Sequence, residues 1–298
     1  MLSYLIKREL FFYDKVIKYE NFPLSFAQPY FGQIREDNAK FCLVLKDLKK
    51  EGWNVGSFYK SYNDQKLTQA FLEKISKLHQ TYWQYQHNKE WDAMDQKNMY
   101  LYLKASILKD YPKCLELFYE EHKTEISESY LNSLKVLNLE KYLDILGQRE
   151  NNKTLCHGDC HVQNMILSDD LSDLVMIDWQ FMNYGVSTRD LVYFLLWSPL
   201  SDNFYQNGVA AFKKTYFELL KKGSNNEHLL NYTWESFEED WKLGCFLFLY
   251  MAVNNFRQLK EKFTQDKTVN SEQFVKLLSS IESKLIRFFE KDILSLCI

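Results

Sequence analysis

Three oxygen-bearing side chains, Asp159, Asn164 and Asp178, stand at separations that suit phosphoryl transfer. Carboxylate and amide oxygens are hard ligands. Two of them, with substrate phosphates, suit Mg2+, which keeps several waters and seldom sits in an all-protein cage. A third carboxylate, free of metal, can accept a proton from a hydroxyl. In kinases the proton-accepting Asp and a metal-binding Asn lie five residues apart, with a second metal-binding Asp further along the chain. The segment 154–181, TLCHGDCHVQNMILSDDLSDLVMIDWQF, holds Asp159-x-x-x-x-Asn164 and then Asp178. Each alone would read as a turn or cap residue, a common place for Asp and Asn. The set at this spacing, behind His157-Gly158, reads as a kinase-type site.

Such a set works only if the chain brings distant positions together. Residues 165–167 and 174–177 are short apolar runs separated by a polar turn at 168–173, which predicts a β-hairpin. In an antiparallel pair the first residue of one strand lies near the last of the other. Asn164, before the first strand, and Asp178, after the second, therefore come to the same end. Asp159 lies in the loop that enters the hairpin. Most of the remaining sequence reads as helix. Residues 1–20 carry Leu5, Phe12, Val16 and Tyr19 at helical spacing, with Phe22-Pro23 ending the run. Residues 67–91 carry a stripe of Phe71, Ile75, Leu78 and Tyr82. Residues 99–146 continue as helices broken near Pro112, and 190–298 as helices broken near Ser198-Pro199 and Gly223-Ser224-Asn225. Residues 41–45 (FCLVL) predict one strand, and 46–56 a connector.

Composition fits this reading. The 298 residues are 46% apolar and 26% charged, ordinary globular values. Nine Gly and four Pro are few against the about twenty and fifteen of average usage, which favours helix over turn-rich β architectures. Net charge is 37 − 40 = −3, with no basic excess to suggest nucleic acid or an anionic membrane. No segment reaches the length of a membrane helix. The start lacks the basic leader and apolar stretch of a signal peptide. Six Cys, scattered among apolar neighbours, read as reduced thiols of a cytoplasmic protein.

Three motifs together carry a family resemblance: His157-Gly158-Asp159-x-x-x-x-Asn164, then Ile177-Asp178-Trp179-Gln180, then Asp190-Leu191-x-Tyr193-Phe194-Leu195. The sequence resembles the aminoglycoside phosphotransferase and choline kinase superfamily, and within it the ecdysteroid kinase-like branch. Upstream, Glu9-x-x-Phe12-Tyr13 is similar to the helix bearing the ion-pair Glu, residues 43–48 to the strand and hinge that hold adenine, and Leu78-His79-x-x-Tyr82-Trp83 to the helix after the hinge. The resemblance implies an α+β, protein-kinase-like fold, with an incomplete N-lobe over 1–48 and a large, mainly helical C-lobe over 49–298. It implies an ATP-dependent phosphotransferase acting on a hydroxyl of a small molecule. In that scheme Asp159 is the catalytic base, His157 braces its loop, and Asn164 and Asp178 hold Mg2+. Asp190 anchors the loop, Lys46, Asp47 and Leu48 meet adenine, and Glu9 orients a strand lysine.

The pattern departs from the family at its start. The family's phosphate-covering loop and lysine precede the Glu helix, yet eight residues precede Glu9 here. Lys7 and Arg8 share its helix, and Gly52 to Gly56 follow the hinge. An N-terminally truncated kinase with an incomplete small lobe is the expectation. The alternative is a truncated pseudokinase that binds a nucleotide or ligand, or acts by interaction. Protein-kinase activity fits less well, because Trp179-Gln180 follows Asp178 and only eleven residues lead to Asp190. Cys156-His157-x-x-Cys160-His161 is dense in zinc-type ligands, but structural zinc sites usually draw pairs from separated segments. His79 reads as a packed helix histidine. Glu235, Glu238, Glu239 and Asp240 read as a solvated helix face, with reception of a cationic substrate as the alternative.

Overall fold

The first helix forms where apolar residues recur every three to four positions, and it buries that stripe. In the computed structural model, residues 2–18, 22–35, 40–84, 111–136, 145, 149–266, 269–289 and 292 are described. Helix α1 spans Leu2–Asp14, with Ile6, Phe12, Tyr13 and, just past its end, Val16 buried. Tyr19, the end of the 67–91 run beyond 84, residues 99–110 and Cys297 lie outside the described residues.

Contacts divide the chain into two units, 1–95 with 151–234, and 96–150 with 235–298. The first holds three small sheets. Strands β1 (Pro29–Arg35) and β2 (Lys40–Leu45) form an antiparallel ribbon, with Phe31 opposite Val44 and Ile34 opposite Phe41. Among the described residues this sheet has two strands. Gly32 lets α1 lie on the ribbon, since a Cβ there would sit 3.0 Å from Leu10. Strand β3 (Asn54–Val55) pairs with β5 (Met165–Leu167), which pairs with β6 (Leu174–Met176). The predicted hairpin is present, with Met165 opposite Met176. Strand β4 (Lys153–Cys156) pairs with β7 (Asn183–Val186), placing Cys156 opposite Asn183.

Helix α2 (Asp64–Thr81) starts where Asn63 accepts from the Lys66 amide at 2.9 Å. Its stripe Phe71, Ile75 and Leu78 is fully buried. Helix α5 (Thr188–Trp197) packs there, with Phe71 stacked on Phe194 at 3.8 Å and 5°. Helices α6 (Asp202–Asn207), α7 (Val209–Lys221) and α8 (Glu227–Leu230) follow, with the foreseen breaks at 198–199 and 223–225 and an unforeseen one at Gly208. Gly223, at φ +71°, ends α7's run.

The second unit contains α3 (Tyr111–His122), α4 (Glu128–Val136), α9 (Trp234–Met251), a π-helical turn (Ala252–Phe256), α10 (Arg257–Asp266) and α11 (Val269–Phe288). Pro112 falls in α3's first turn, where its missing N–H is harmless. Lys260 joins three of these helices, with Nζ 2.5 Å from Glu121 and 2.6 Å from the buried Glu282. The acidic face on α9 is solvated only in part. Glu235 and Glu239 are exposed, but Asp240 is fully buried, 3.3 Å from Arg149. Its burial follows from helical spacing, which puts it on Phe237's side. Among the described residues, no helix is long and apolar enough to cross a membrane.

Candidate functional site

Asp190 organises the loop that carries Asp159. Its Oδ2 accepts from the His157 amide at 2.8 Å and its Oδ1 from the Gly158 amide at 2.9 Å. His79 Nε2 lies 3.2 Å from Oδ2, and His79 Nδ1 lies 2.8 Å from the Tyr216 hydroxyl. Burial would push the Asp190 carboxyl up, but the His79 hydrogen bond, nearby imidazoles and the Gly158 amide hold it below the usual carboxylate range. His157 Nε2 donates to the Ile177 carbonyl at 3.0 Å, and Nδ1 accepts from the Asp159 amide at 3.3 Å. That pairing fixes a neutral tautomer, and burial pushes the imidazole's proton affinity down. His157 therefore links the loop to the end of β6.

Asp159 is nearly buried. Asn164 Nδ2 donates to its Oδ2 at 2.9 Å and to its carbonyl at 3.1 Å. His161 Nε2 stands 3.5 Å from the same Oδ2, and the Tyr193 hydroxyl donates to the carboxylate. Burial raises this carboxyl, yet His161 and Tyr193 hold it low, so it stays ionised at neutral pH. The Ile177 amide donates to the Asn164 carbonyl at 3.0 Å, which ties the hairpin's two exits together. Asp178 follows in the left-handed region, at φ 62° and ψ 63°. That conformation costs a non-glycine residue about 1–2 kcal/mol. Trp179 holds it there: its indole donates to the Met176 carbonyl at 3.1 Å and stacks on Phe12 at 3.9 Å. Burial and the Asp159 charge push the Asp178 carboxyl up.

Helix α1 docks on the same turn. Arg8 donates to the Met182 carbonyl at 3.1 Å, and Glu9 accepts from the Trp179 amide. A cavity of about 480 Å³ is lined by Glu9, Lys46, Asp47, Leu48, Ile166, Ile177 and Asp178, among others. Its floor is a cluster of Ala27, Leu48 and Val175 packed with Leu45, Trp53, Ile166 and Ile177.

A model of the ecdysteroid kinase-like family matches residues 3–230. The chain belongs to this family. Solved structures share its fold. The microcompartment-associated aminopropanol kinase aligns at a TM-score of 0.53, with 12% identity over 98% of this chain and 83% of its own. A choline/ethanolamine kinase family protein from Mesorhizobium loti aligns at 0.50, with 10% identity over 98% and 82%. A putative aminoglycoside phosphotransferase from Ralstonia eutropha aligns at 0.50, with 10% identity over 97% and 83%. A comparison with curated proteins finds no match. The fold is the protein-kinase-like one, mixed helices and small sheets with a large helical C-terminal part.

In this ecdysteroid kinase-like chain, Asp159, Asn164, His157 and Asp190 form one hydrogen-bonded unit, and Asp178 faces it. Lys46, Asp47, Leu48 and Glu9 line a cavity with Asp178. The Lys46 amide already donates to the Gln28 carbonyl at 2.9 Å, and Asp47 caps a short helical turn by accepting from the Lys49 amide. The zinc-type pattern is not assembled. Both His157 nitrogens are bonded, and burial pushes the Cys156 and Cys160 thiols up. Cys156 does come within 4.8 Å of His79 and Asp190, inside the knot just described. His161 and Tyr193 touch Asp159; the sequence named them only within the zinc-type pattern and the third motif, with no role at Asp159. Their positions, two after Asp159 and three after Asp190, were the available signal. His79 is packed, as expected, and also supports Asp190.

Two expected results follow from this geometry. Gly158 sits at φ +84°, and a Cβ there would lie 2.1 Å from the Phe181 carbonyl oxygen. Gly158→Ala in the ecdysteroid kinase-like chain destabilises it by on the order of 2–4 kcal/mol, read by urea unfolding; a loss below about 0.5 kcal/mol, within ordinary surface effects, contradicts the close approach. Glu9 is raised from 4.5 to about 7, by burial first and by the Asp178 charge second. Between those two values the folded chain keeps a proton that the unfolded chain releases, so stability falls as pH rises through that window. Glu9→Gln flattens that fall in nucleotide-free unfolding at pH 5 and pH 8; an unchanged pH slope contradicts it.

Proposed function

We propose that this protein transfers the γ-phosphate of ATP to a hydroxyl of a small molecule. The observation that most supports this reading is the meeting of Asp159, Asn164 and Asp178 at one end of the β5–β6 hairpin, beside a cavity that residues 46–48 also line. In the reading, residues 1–48 are the small-lobe portion of this chain and 49–298 the helical large lobe. The apolar floor at Ala27, Leu48 and Ile166 takes adenine, and Glu9 sits at its inner end. Asp159 accepts the acceptor's hydroxyl proton as the oxygen attacks. Asn164 and His161 lie on the Asp159 Oδ2 and Tyr193 donates to the same carboxylate, which holds it in place and keeps it charged. Asp190 and His157 hold the loop against recoil.

Asn164 and Asp178 fit a hard divalent cation. The Asn164 amide nitrogen is turned to Asp159, so its oxygen is the group left for a cation, and Asp178's strained backbone aims a carboxylate whose proton affinity is raised. Mg2+ bound there would neutralise phosphate charge. The buried thiols Cys156, Cys160 and Cys245 support a cytoplasmic setting.

A second reading, a nucleotide-binding pseudokinase, is favoured by one observation: Glu9 accepts from the Trp179 amide and lies against Asp178, where a lysine partner would compete. ADP formation with Mg-ATP and a panel of hydroxylated small molecules separates the two. Acceptor-dependent ADP supports phosphoryl transfer. ATP binding without ADP formation across the panel supports the pseudokinase.

A further inference from the structure

Helix α5 carries two aromatic stacks on different faces. Phe194 is sealed against Phe71 and Phe212 in the core. Tyr193 and Trp197, four residues apart on one side of the helix, stack at 5.8 Å with planes within 12°. His161 lies alongside, 6.1 Å from Tyr193 and 6.3 Å from Trp197. Phe58, from the segment between β3 and α2, closes the far side at 5.2 Å from His161 and 5.9 Å from Trp197, tilted 62° and 48°. These four rings are only half-buried, and the neighbouring Tyr59 is 53% exposed. Each ring keeps part of its surface exposed, His161 16% of its side chain, unlike the sealed Phe194. They begin at the reacting carboxylate, since Tyr193 and His161 both touch Asp159. None of the four lines the cavity assigned to the nucleotide.

We infer that Phe58, His161, Tyr193 and Trp197 form the acceptor subsite, and that the acceptor is an alcohol carried on a planar aromatic ring system. The inference rests on the phosphotransfer reading. Tyr193 and Trp197 are offset-stacked, and a third flat ring extends such a stack, since aromatic rings pair best in offset stacks or edge-to-face. A quaternary ammonium is held instead by rings facing one point, and an amino sugar by carboxylates and amides. With the ring stacked on Trp197 and edged by Phe58, the hydroxyl lies toward Asp159. In the step, the acceptor oxygen forms a bond to the γ-phosphorus and the bond from that phosphorus to the β,γ-bridging oxygen breaks. The bond's electron pair leaves with ADP, and the hydroxyl proton passes to Asp159.

The test uses 2-naphthalenemethanol as probe, with choline and glucosamine as contrasts. Binding is measured calorimetrically beside a non-hydrolysable ATP analogue, and turnover with Mg-ATP, on the wild type, Trp197→Phe, Trp197→Leu and Asp159→Asn. The aromatic alcohol should bind the wild type, Trp197→Phe and Asp159→Asn alike. Trp197→Leu, which keeps apolar bulk but removes the ring, should weaken its Kd and KM about tenfold and leave the KM for ATP unchanged. Tighter binding of choline or glucosamine, or full affinity in Trp197→Leu, overturns the subsite. Aromatic-alcohol binding without phosphorylation by the wild type supports the subsite and contradicts the phosphotransfer reading. Phosphorylation of choline or glucosamine in its place keeps that reading and overturns the subsite.

Discussion

Asp159→Asn lowers phosphoryl transfer roughly 10²–10⁴-fold, the range for loss of a positioned general base, and leaves ATP binding and folding near wild type. The substitution is isosteric. An amide oxygen at position 159 still accepts from Asn164, whose nitrogen lies 2.9 Å from the present carboxylate, so the loop keeps its shape. What disappears is a site that can take the hydroxyl proton. The effect should fall on kcat, because the carboxylate's part is greatest when the proton moves. Steady-state kinetics with a turned-over acceptor checks this, with calorimetry for ATP. A kcat within about threefold of wild type, well short of a lost general base, would assign Asp159 a turn role.

Asp190→Ala has the largest expected effect on stability, a loss of about 3–5 kcal/mol, as when one partner of a buried charged pair is removed. Asp190 is fully buried and serves three groups: the His157 amide, the Gly158 amide and the His79 ring. Alanine leaves two buried amides without an acceptor and frees an imidazole inside the core. Asp190→Asn retains one acceptor oxygen and should fall between. The pH dependence has a definite sign. The native environment holds this carboxyl below its ordinary value, so its contribution is present above that value and is lost as pH falls through the depressed one. Urea unfolding of the three proteins at neutral pH measures the order; Asp190→Ala within about 1 kcal/mol of wild type, the range of an exposed ion pair, would contradict the anchor role.

The hairpin and the meeting of Asn164 with Asp178 were legible because they depend on local signals. Two apolar runs flanked a turn rich in Ser and Asp, and antiparallel pairing did the rest. Helix α2 was legible through its Phe71, Ile75 and Leu78 stripe. Strand β1 was not: Pro29-Tyr30-Phe31-Gly32-Gln33-Ile34-Arg35 lacks clean alternation, because most of its residues are exposed and no buried face imposes a period of two. Strands β4 and β7 escaped because all eight of their residues are buried, which removes the polar half of any period. His161 and Tyr193 were hidden for another reason. Tyr193 reaches Asp159 from a helix that follows a strand pairing invisible in the sequence, and His161, in the same loop as Asp159, meets it only through the loop's folded path. Glu9 was legible as a residue of note, but its acceptance of the Trp179 amide depends on how α1 docks. Asp240 was misread as solvated because helix-face assignment over four acidic residues hides one that turns inward to Arg149.

The central claim is that a phosphoryl group leaves ATP and arrives on a hydroxyl under the care of Asp159. The most direct measurement is mass spectrometry of a mixed pool of hydroxylated small molecules after incubation with Mg-ATP and either the wild-type protein or Asp159→Asn. The account predicts at least one pool member that gains one phosphoryl mass with the wild type, in step with ADP, and gains almost none with Asp159→Asn. Equal gain with both proteins, or a wild-type protein that binds ATP and modifies nothing in the pool, would contradict it.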